Sequence, residues 1–352
     1  MNTVVLEELP RSPGVWVQAW KRLKNDRVGM VALVITGLFV VLVALAQLGL
    51  VASHWQVEVG KPNAAPHFVG KQVDASQTAT VDIVAGPNVD LTAIDPLAPK
   101  YQEWTERASK FTTTETVKQE TLVFGADRMG RDVLDKVIRG SQVSITVGLV
   151  AALFATFVGT ILGALAGYFG GAIDDFLEWL YSVFTSIPYI LLIVSLAAVL
   201  KSGPLASTLG NGIWSVVIIL TAVGWTGIYR LVRAEYIKHR AREYVRAAEA
   251  IGASHLSRMF THILPNISHV VLVQLSLHVV AFIKTEVILS FLGFGVSVDM
   301  VSWGTMLNEA ATDLIQGYWW QLAAATLFMA TFVTAFALLT DALRDALDPK
   351  LR

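Results

Sequence analysis

Six stretches of the chain carry no Asp, Glu, Lys or Arg over lengths that a lipid bilayer demands. They are Val28–Leu50, Gly140–Ile173, Trp179–Leu200, Ser202–Tyr229, Ile263–Ile283 and Leu314–Thr340. A helix crosses the hydrocarbon core with about 20 residues, at a rise of 1.5 Å each. The pattern predicts six membrane-spanning helices, the second with a Gly-rich turn at its end and the fourth opening on the Gly203-Pro204 turn. An even number of spans leaves both termini on one side. The first apolar run is too long, and too far from the N-terminus, for the core of a cleaved signal peptide.

Charge chooses the side. Residues 1–27 hold five Lys or Arg, the connection 230–262 holds seven, and the tail after Thr340 holds three. The connections 201–211 and 296–313 share only Lys201. Positive charge stays in the cytoplasm, so both termini and the 230–262 connection are expected there. The connection near 170–178 departs from this pattern, being acidic at Asp174, Asp175 and Glu178. Arg230 and Arg233 end the fourth run and read as anchors at the inner leaflet. The Trp residues near span ends (Trp55, Trp179, Trp214, Trp319 and Trp320) read as an interfacial belt.

Composition agrees with a membrane protein. The chain has 352 residues, 54% hydrophobic and 16% charged, against about 25% charged in ordinary soluble domains. A formal net charge of −1 gives a nucleic-acid partner no electrostatic footprint. The absence of Cys excludes disulfides and thiol chemistry. Residues 51–138 differ from the rest, with five Pro and nine Lys or Arg. Parity places them outside, where a long segment translocates largely regardless of charge. Thr80–Val84 alternates like a strand. The segment reads either as a loose connector or as a small lobe that touches a partner or a soluble receptor. The expected organisation is a cytoplasmic N-terminus 1–27, a first transmembrane helix 28–50, the outer segment 51–138, a five-helix core 139–345 and a cytoplasmic tail 346–352.

The most informative stretch runs from Glu243 to Pro265. It reads as a short Ala-rich helix, a Gly, a second amphipathic helix and a Pro opening the next span. The small residues Ala247, Ala248, Ala250 and Ala253 let another backbone approach. Gly252 permits a bend that larger residues resist, and Pro265 suits the first turn of a helix. The hairpin 242–265 is expected to be a docking knob for a soluble cytoplasmic subunit.

This stretch resembles the "E-A-A…G…I-x-L-P" loop of permease subunits in bacterial ABC importers, matching it at Ala247, Ala248, Gly252, Leu264 and Pro265. The motif's Glu is Arg246 here, and His262 stands at its Ile. Phe124–Leu134 resembles "F-G-T-D-x-x-G-R-D-V-L", Gly167–Gly171 resembles "G-Y-F-G-G", and Ser290–Gly295 resembles "S-F-L-G-F-G" of dipeptide, oligopeptide and nickel permeases. Leu343–Leu351 and Trp20–Lys24 are similar to the tail and N-terminus of the C-type subunit. The resemblance covers residues 16–50 and 121–352. It implies an all-α polytopic membrane protein of the ABC importer type I permease fold, multi-pass in a bacterial inner membrane. It also implies a second permease, two ATPase subunits and an extracytoplasmic solute-binding protein as partners. ATPase coupling is then expected at Arg246, Ala247, Ala248, Glu249, Gly252, Ala253, Leu264 and Pro265.

Other chemistry finds little support. Gly125–Asp132 has the glycine spacing of a P-loop, but Arg131 and Asp132 replace the Lys and hydroxyl that touch phosphate and Mg²⁺. No catalytic constellation is seen, and ATP with its Mg²⁺ is expected on separate subunits, with no cofactor in this chain. His255, His262 and His269 share a spacing of seven, but Pro265 intervenes and no carboxylate stands at metal spacing, so no metal site is expected. Lys284 and Glu286 lie near the fifth span's outer half. They read either as solvated boundary charges or as pathway and gate residues, and two positions apart they do not share a helix face. The favoured function is a permease subunit of an ATP-driven importer, peptides being the foremost solute class by resemblance. The alternatives are an importer of nickel or another small solute, a self-contained secondary transporter or channel, and a membrane-anchored receptor. A secondary transporter would show two related halves, which the sequence lacks.

Overall fold

The computed structural model describes residues 15–70, 95–109, 118–203, 212–297 and 299–347. These residues fall into two compact units, one drawn from Met1–Trp55 with Val133–Arg352, the other from Gln56–Asp132.

In chain order the elements are α1 (Val15–Asn25), α2 (Arg27–Gln47), β1 (Gly60–Pro66), α3 (Tyr101–Ala108), β2 (Gln119–Leu122), α4 (Val133–Phe169), α5 (Gly171–Thr185), α6 (Tyr189–Ser202), α7 (Ile213–Arg240), α8 (Glu243–Ala250), α9 (His255–Phe291), α10 (Trp303–Ile315) and α11 (Trp320–Leu347). α9 contains a π-helical stretch at Arg258–Ile263. Among the described residues, five helices (α2, α4, α7, α9 and α11) are long and apolar enough to cross a bilayer. A sixth candidate is a bent pair of shorter helices. α5 and α6 meet at 89° across Ser186–Pro188, so the run Trp179–Leu200 is not one straight helix. Pro188 explains the break, because it removes a backbone donor and restricts the residue before it. The fourth span begins at Ile213 rather than Ser202. The sixth run divides between α10 and α11, with Trp320 opening the spanning helix.

α4 packs most extensively on α7. The reason is legible in the glycines. Gly159, Gly163 and Gly167 repeat every four residues and so line one face of α4. A β-carbon on Gly163 would stand 2.6 Å from the Tyr229 carbonyl oxygen, and its neighbours in the stripe would meet the α7 backbone too. Small residues at that spacing let two membrane helices approach backbone to backbone. The larger side chains come from α7: Trp225, Ile228, Tyr229, Val232 and Tyr236 are all buried. At the periphery, α2 lies along α11, with Leu23, Ala32 and Leu339 in one cluster. Asp26 caps α2 by accepting from the Val28 N–H at 3.0 Å. Arg139 ties α4 to the end of α2 by donating to the Ala46 carbonyl at 3.0 Å.

The second unit holds a parallel two-stranded pair, β1 with β2. Its small core is Ala64, Leu122 and Ala126. Buried Asp127 organises the motif that precedes α4. It accepts from the N–H of Met129 and Arg131 at 2.9 and 3.0 Å and pairs with the Arg131 guanidinium at 2.6 Å. The P-loop-like spacing therefore builds a closed turn whose polar groups satisfy one another. The strand expected at Thr80–Val84, Pro204 and the tail beyond Leu347 lie outside the described residues.

Candidate functional site

The connection between α7 and α9 is α8 followed by a tight turn. The separate second amphipathic helix expected before Pro265 is absent, because α9 runs through that proline as one helix. The turn is closed by backbone geometry. Gly252 has φ +85°, a left-handed conformation that costs an L-residue roughly 1–2 kcal/mol. Its N–H donates to the Glu249 carbonyl at 2.9 Å, and the Ala253 N–H donates to the Ala248 carbonyl at 3.0 Å. That pair of bonds is a Schellman closure. It ends α8 after two turns and turns the chain into α9. Ser254 caps the next helix by accepting from the Ser257 N–H at 3.3 Å.

The hairpin has a buried base and an open tip. Val245 of α8, with Met259, Ile263 and Ile267 of α9, enters one cluster with Ala164 and Tyr168 of α4 and Val232 and Tyr236 of α7. The Tyr236 hydroxyl donates to the Met259 carbonyl at 3.1 Å. Burial pushes the Tyr244 hydroxyl above its ordinary pKa, so it stays protonated and faces His239 Nδ1 at 2.7 Å. Of the residues singled out in sequence, Ala248 points into this base. Arg246, Ala247, Glu249, Gly252 and Pro265 are exposed, and Ala253 and Leu264 are half-buried. The tip adds exposed Ile251 and Leu256.

The two charges on α9 separate sharply. Lys284 is exposed, whereas Glu286 is fully buried. The reading of both as solvated boundary charges therefore fails for Glu286. Ser144 of α4 donates to its carboxylate at 2.7 Å, and Ser290 donates to it at 2.6 Å. Ser144 also accepts from the Trp303 backbone N–H at 3.2 Å, and the Trp303 indole donates to Ser141 at 3.2 Å. Glu286 thus ties α4, α9 and the start of α10 together. Lys284 belongs to an open face, with Leu277, Ala281, Ile288 and Phe291 at helical spacing. It lines a groove of about 510 Å³ together with Tyr189 and Thr285 on one side and Thr340 and Asp341 of α11 on the other.

Several functional-looking contacts escaped the sequence. Arg233 is no lipid anchor. It makes a fork to Asp174 at 2.5 and 2.8 Å and lies 3.7 Å from Glu178, which accounts for the acidic connection near 170–178. Lys136 is buried and paired with Glu309, with Gln321 at 3.3 Å. His278 sits between Thr156 at 3.1 Å and Gln274 at 3.3 Å, stacked on Phe282. Trp55 and Trp320 are buried and leave the belt, while Trp179, Trp214 and Trp319 stay exposed. The available signal was partial: an acidic stretch without basic residues and an Arg near the end of an adjacent span ask for each other, but sequence distance hides the pairing.

Comparison with known proteins agrees with this architecture. Residues 159–352 match the family described as binding-protein-dependent transport system inner membrane component. Residues 14–66 match the N-terminal transmembrane domain of oligopeptide transport permease C. The chain is 31% identical to the dipeptide transport system permease protein DppC of Bacillus subtilis over 95% of its length and 85% of the relative's. It is 31% identical to the oligopeptide transport system permease protein OppC of the same organism over 79% of its length and 87% of the relative's. It is 34% identical to the di/tripeptide transport system permease protein DppC of Pseudomonas aeruginosa over 66% and 74%. With the spanning helices and the hairpin already in place, these matches show that the chain belongs to the binding-protein-dependent transport inner-membrane family, as a permease subunit of an ATP-driven ABC importer.

Proposed function

We propose that this permease carries peptides and that it works with a second permease, two ATPase subunits and an extracytoplasmic solute-binding protein. Both termini and the 242–265 hairpin lie in the cytoplasm. ATP and Mg²⁺ bind the ATPase subunits, and this chain hydrolyses nothing itself. One ATPase seats on the exposed face formed by Arg246, Ala247, Ile251 and Gly252, with Glu249 turned to Arg258 at its edge. Closure of the ATPase pair moves the hairpin, and the spans swing between inward-open and outward-open.

The observation that carries this reading is the hairpin's division into an exposed tip and a base packed into α4 and α7. A tip that binds and a base packed against α4 and α7 couple docking to helix motion. Lys284 and Asp341 support the solute class. A groove with one cation and one anion on its walls offers a partner to each end of a zwitterionic peptide. Lys284 is a pathway residue in this reading. Glu286 serves the gate region by holding α4, α9 and α10 rather than by touching solute.

Co-purification after mild detergent extraction tests the proposal. The intact chain should bring an ATPase and a second permease with it. The double variant Ala248→Phe with Gly252→Val should keep the second permease and lose the ATPase. Purification of the intact chain alone, with the variant indistinguishable, would sink the coupled mechanism.

A further inference from the structure

Arg258 is the one guanidinium buried at the base of the hairpin among the described residues, and the groups around it come from three elements. Its Nη1 lies 2.7 Å from Oε1 of Glu249, on α8. Its Nη2 lies 3.0 Å from Nδ1 of His255, at the start of α9. Its central carbon stands 5.9 Å from the ring centroid of Tyr168, at the end of α4. A planar guanidinium pairs with a carboxylate along its edge and stacks on an aromatic face at once, which an ammonium does less well. The Tyr168 carbonyl in turn accepts from Arg240 at 2.8 Å. The next residues are the Gly170-Gly171 turn into α5, which Asp174 ties to Arg233.

Two features fit a joint that moves. Arg258 opens the π-helical stretch Arg258–Ile263, and such bulges mark places where a helix shifts register. The cluster is also not saturated. His255 Nδ1 is within reach of both Arg258 Nη2 and the Tyr168 hydroxyl, each at 3.0 Å. A single lone pair accepts only one of them fully. Arg258 Nε is buried without a hydrogen-bond partner among the described residues. A network with more donors than acceptor sites has more than one arrangement of similar satisfaction.

We propose that Arg258 is a positioning residue for ATPase coupling: through Glu249 and Tyr168 it holds the docking helix α8 against the cytoplasmic end of α4. Movement of α8 then reaches α4 and the α4–α5 turn instead of being absorbed at the Gly252 bend. Arg258 is nearly out of reach of a docked subunit, so it acts on transmission and not on docking. The assignment rests on the reading of the hairpin as an ATPase dock.

The test uses the full transporter reconstituted in vesicles with its solute-binding protein, measuring labelled trialanine taken up per ATP hydrolysed, with co-purification of the ATPase alongside. Arg258→Gln should retain the ATPase and lower the ratio about tenfold, the scale of one lost charge-assisted contact. Arg258→Lys, which keeps the charge near Glu249 and the ring, should recover most of that loss. Glu249→Gln is a surface change that leaves folding alone, and it should lower the ratio about threefold. If Arg258→Gln does not accumulate in the membrane, Glu249→Gln decides. A ratio in Arg258→Gln within twofold of the intact chain, or Lys no better than Gln, overturns the assignment and leaves the docking reading standing. An intact chain that purifies without ATPase overturns the docking reading, and this one with it.

Discussion

α7 and α9 have nearly the same apolar character, yet they are used in opposite ways. The most apolar stretch of α7 is 61% buried within the chain, and that of α9 only 28%. α7 is closed on itself by the glycine stripe of α4 and carries large side chains into that contact. α9 contributes one satisfied face, through His278, Phe282 and Glu286, and leaves a second face open around Lys284. The difference teaches that hydropathy reports the solvent a helix can tolerate, not what it touches. In a bilayer an apolar face meets lipid and protein on nearly equal terms, and packing detail decides between them. The closed pair is the frame. The open face leaves room that the closed pair does not.

That comparison breaks most violently at Gly163. Gly163→Leu puts a branched side chain into the Tyr229 carbonyl and the Val232 side chain. Overpacking of this kind costs about 1–3 kcal/mol or more. The expected outcome is loss of a monodisperse peak in size-exclusion chromatography and a melting transition well below that of the intact chain. Gly37, whose added β-carbon would meet nothing within 4 Å, makes the control: Gly37→Ala should leave both measurements unchanged.

Glu286 divides the two helices next. Glu286→Ala strands the hydroxyls of Ser144 and Ser290 and should destabilise by about 1–3 kcal/mol, read as a lowered thermal midpoint in detergent. Glu286→Gln keeps an acceptor for one hydroxyl and offers the other an amide N–H that it can turn to accept, and should lose less than half as much. A Gln variant as damaged as the Ala variant would show that the charge, not the hydrogen bonds, matters there.

The hairpin gives a smaller effect with a sharper readout. Gly252→Val has open space for its side chain but the wrong backbone conformation. The strain is roughly 1–2 kcal/mol, confined to the turn. Membrane insertion should be normal, and ATPase recovered with the chain should fall about tenfold. Equal recovery would remove the turn from the docking account.

The smallest change in stability belongs to the open face. Lys284→Ala should move the melting midpoint by no more than an ordinary surface substitution, within about 0.5 kcal/mol. It should still depress trialanine uptake at unchanged ATPase docking. Uptake equal to that of the intact chain would take Lys284 out of the pathway and leave the face to lipid or the partner permease.

By itself, the sequence determined the class of the protein. Uncharged runs of bilayer length, a hairpin of small residues with one Gly, and motifs in permease order sufficed, because these signals are local and each is read within one helix or turn. It also marked Lys284, Glu286 and residues 242–265 as places worth attention. It could not tell that Glu286 would be buried among serines while Lys284, two residues away, stayed open. The 100° step between successive helix positions separates them, but which face meets α4 depends on packing. The third run read as one span, and its 89° break beside Pro188 came from the structure. Arg233 with Asp174, Lys136 with Glu309 and Arg258 with Tyr168 join residues separated by 59 to 173 positions or lying on different helices. Only the tertiary structure decided those pairings, because a buried charge is settled by whichever partner the fold brings within reach.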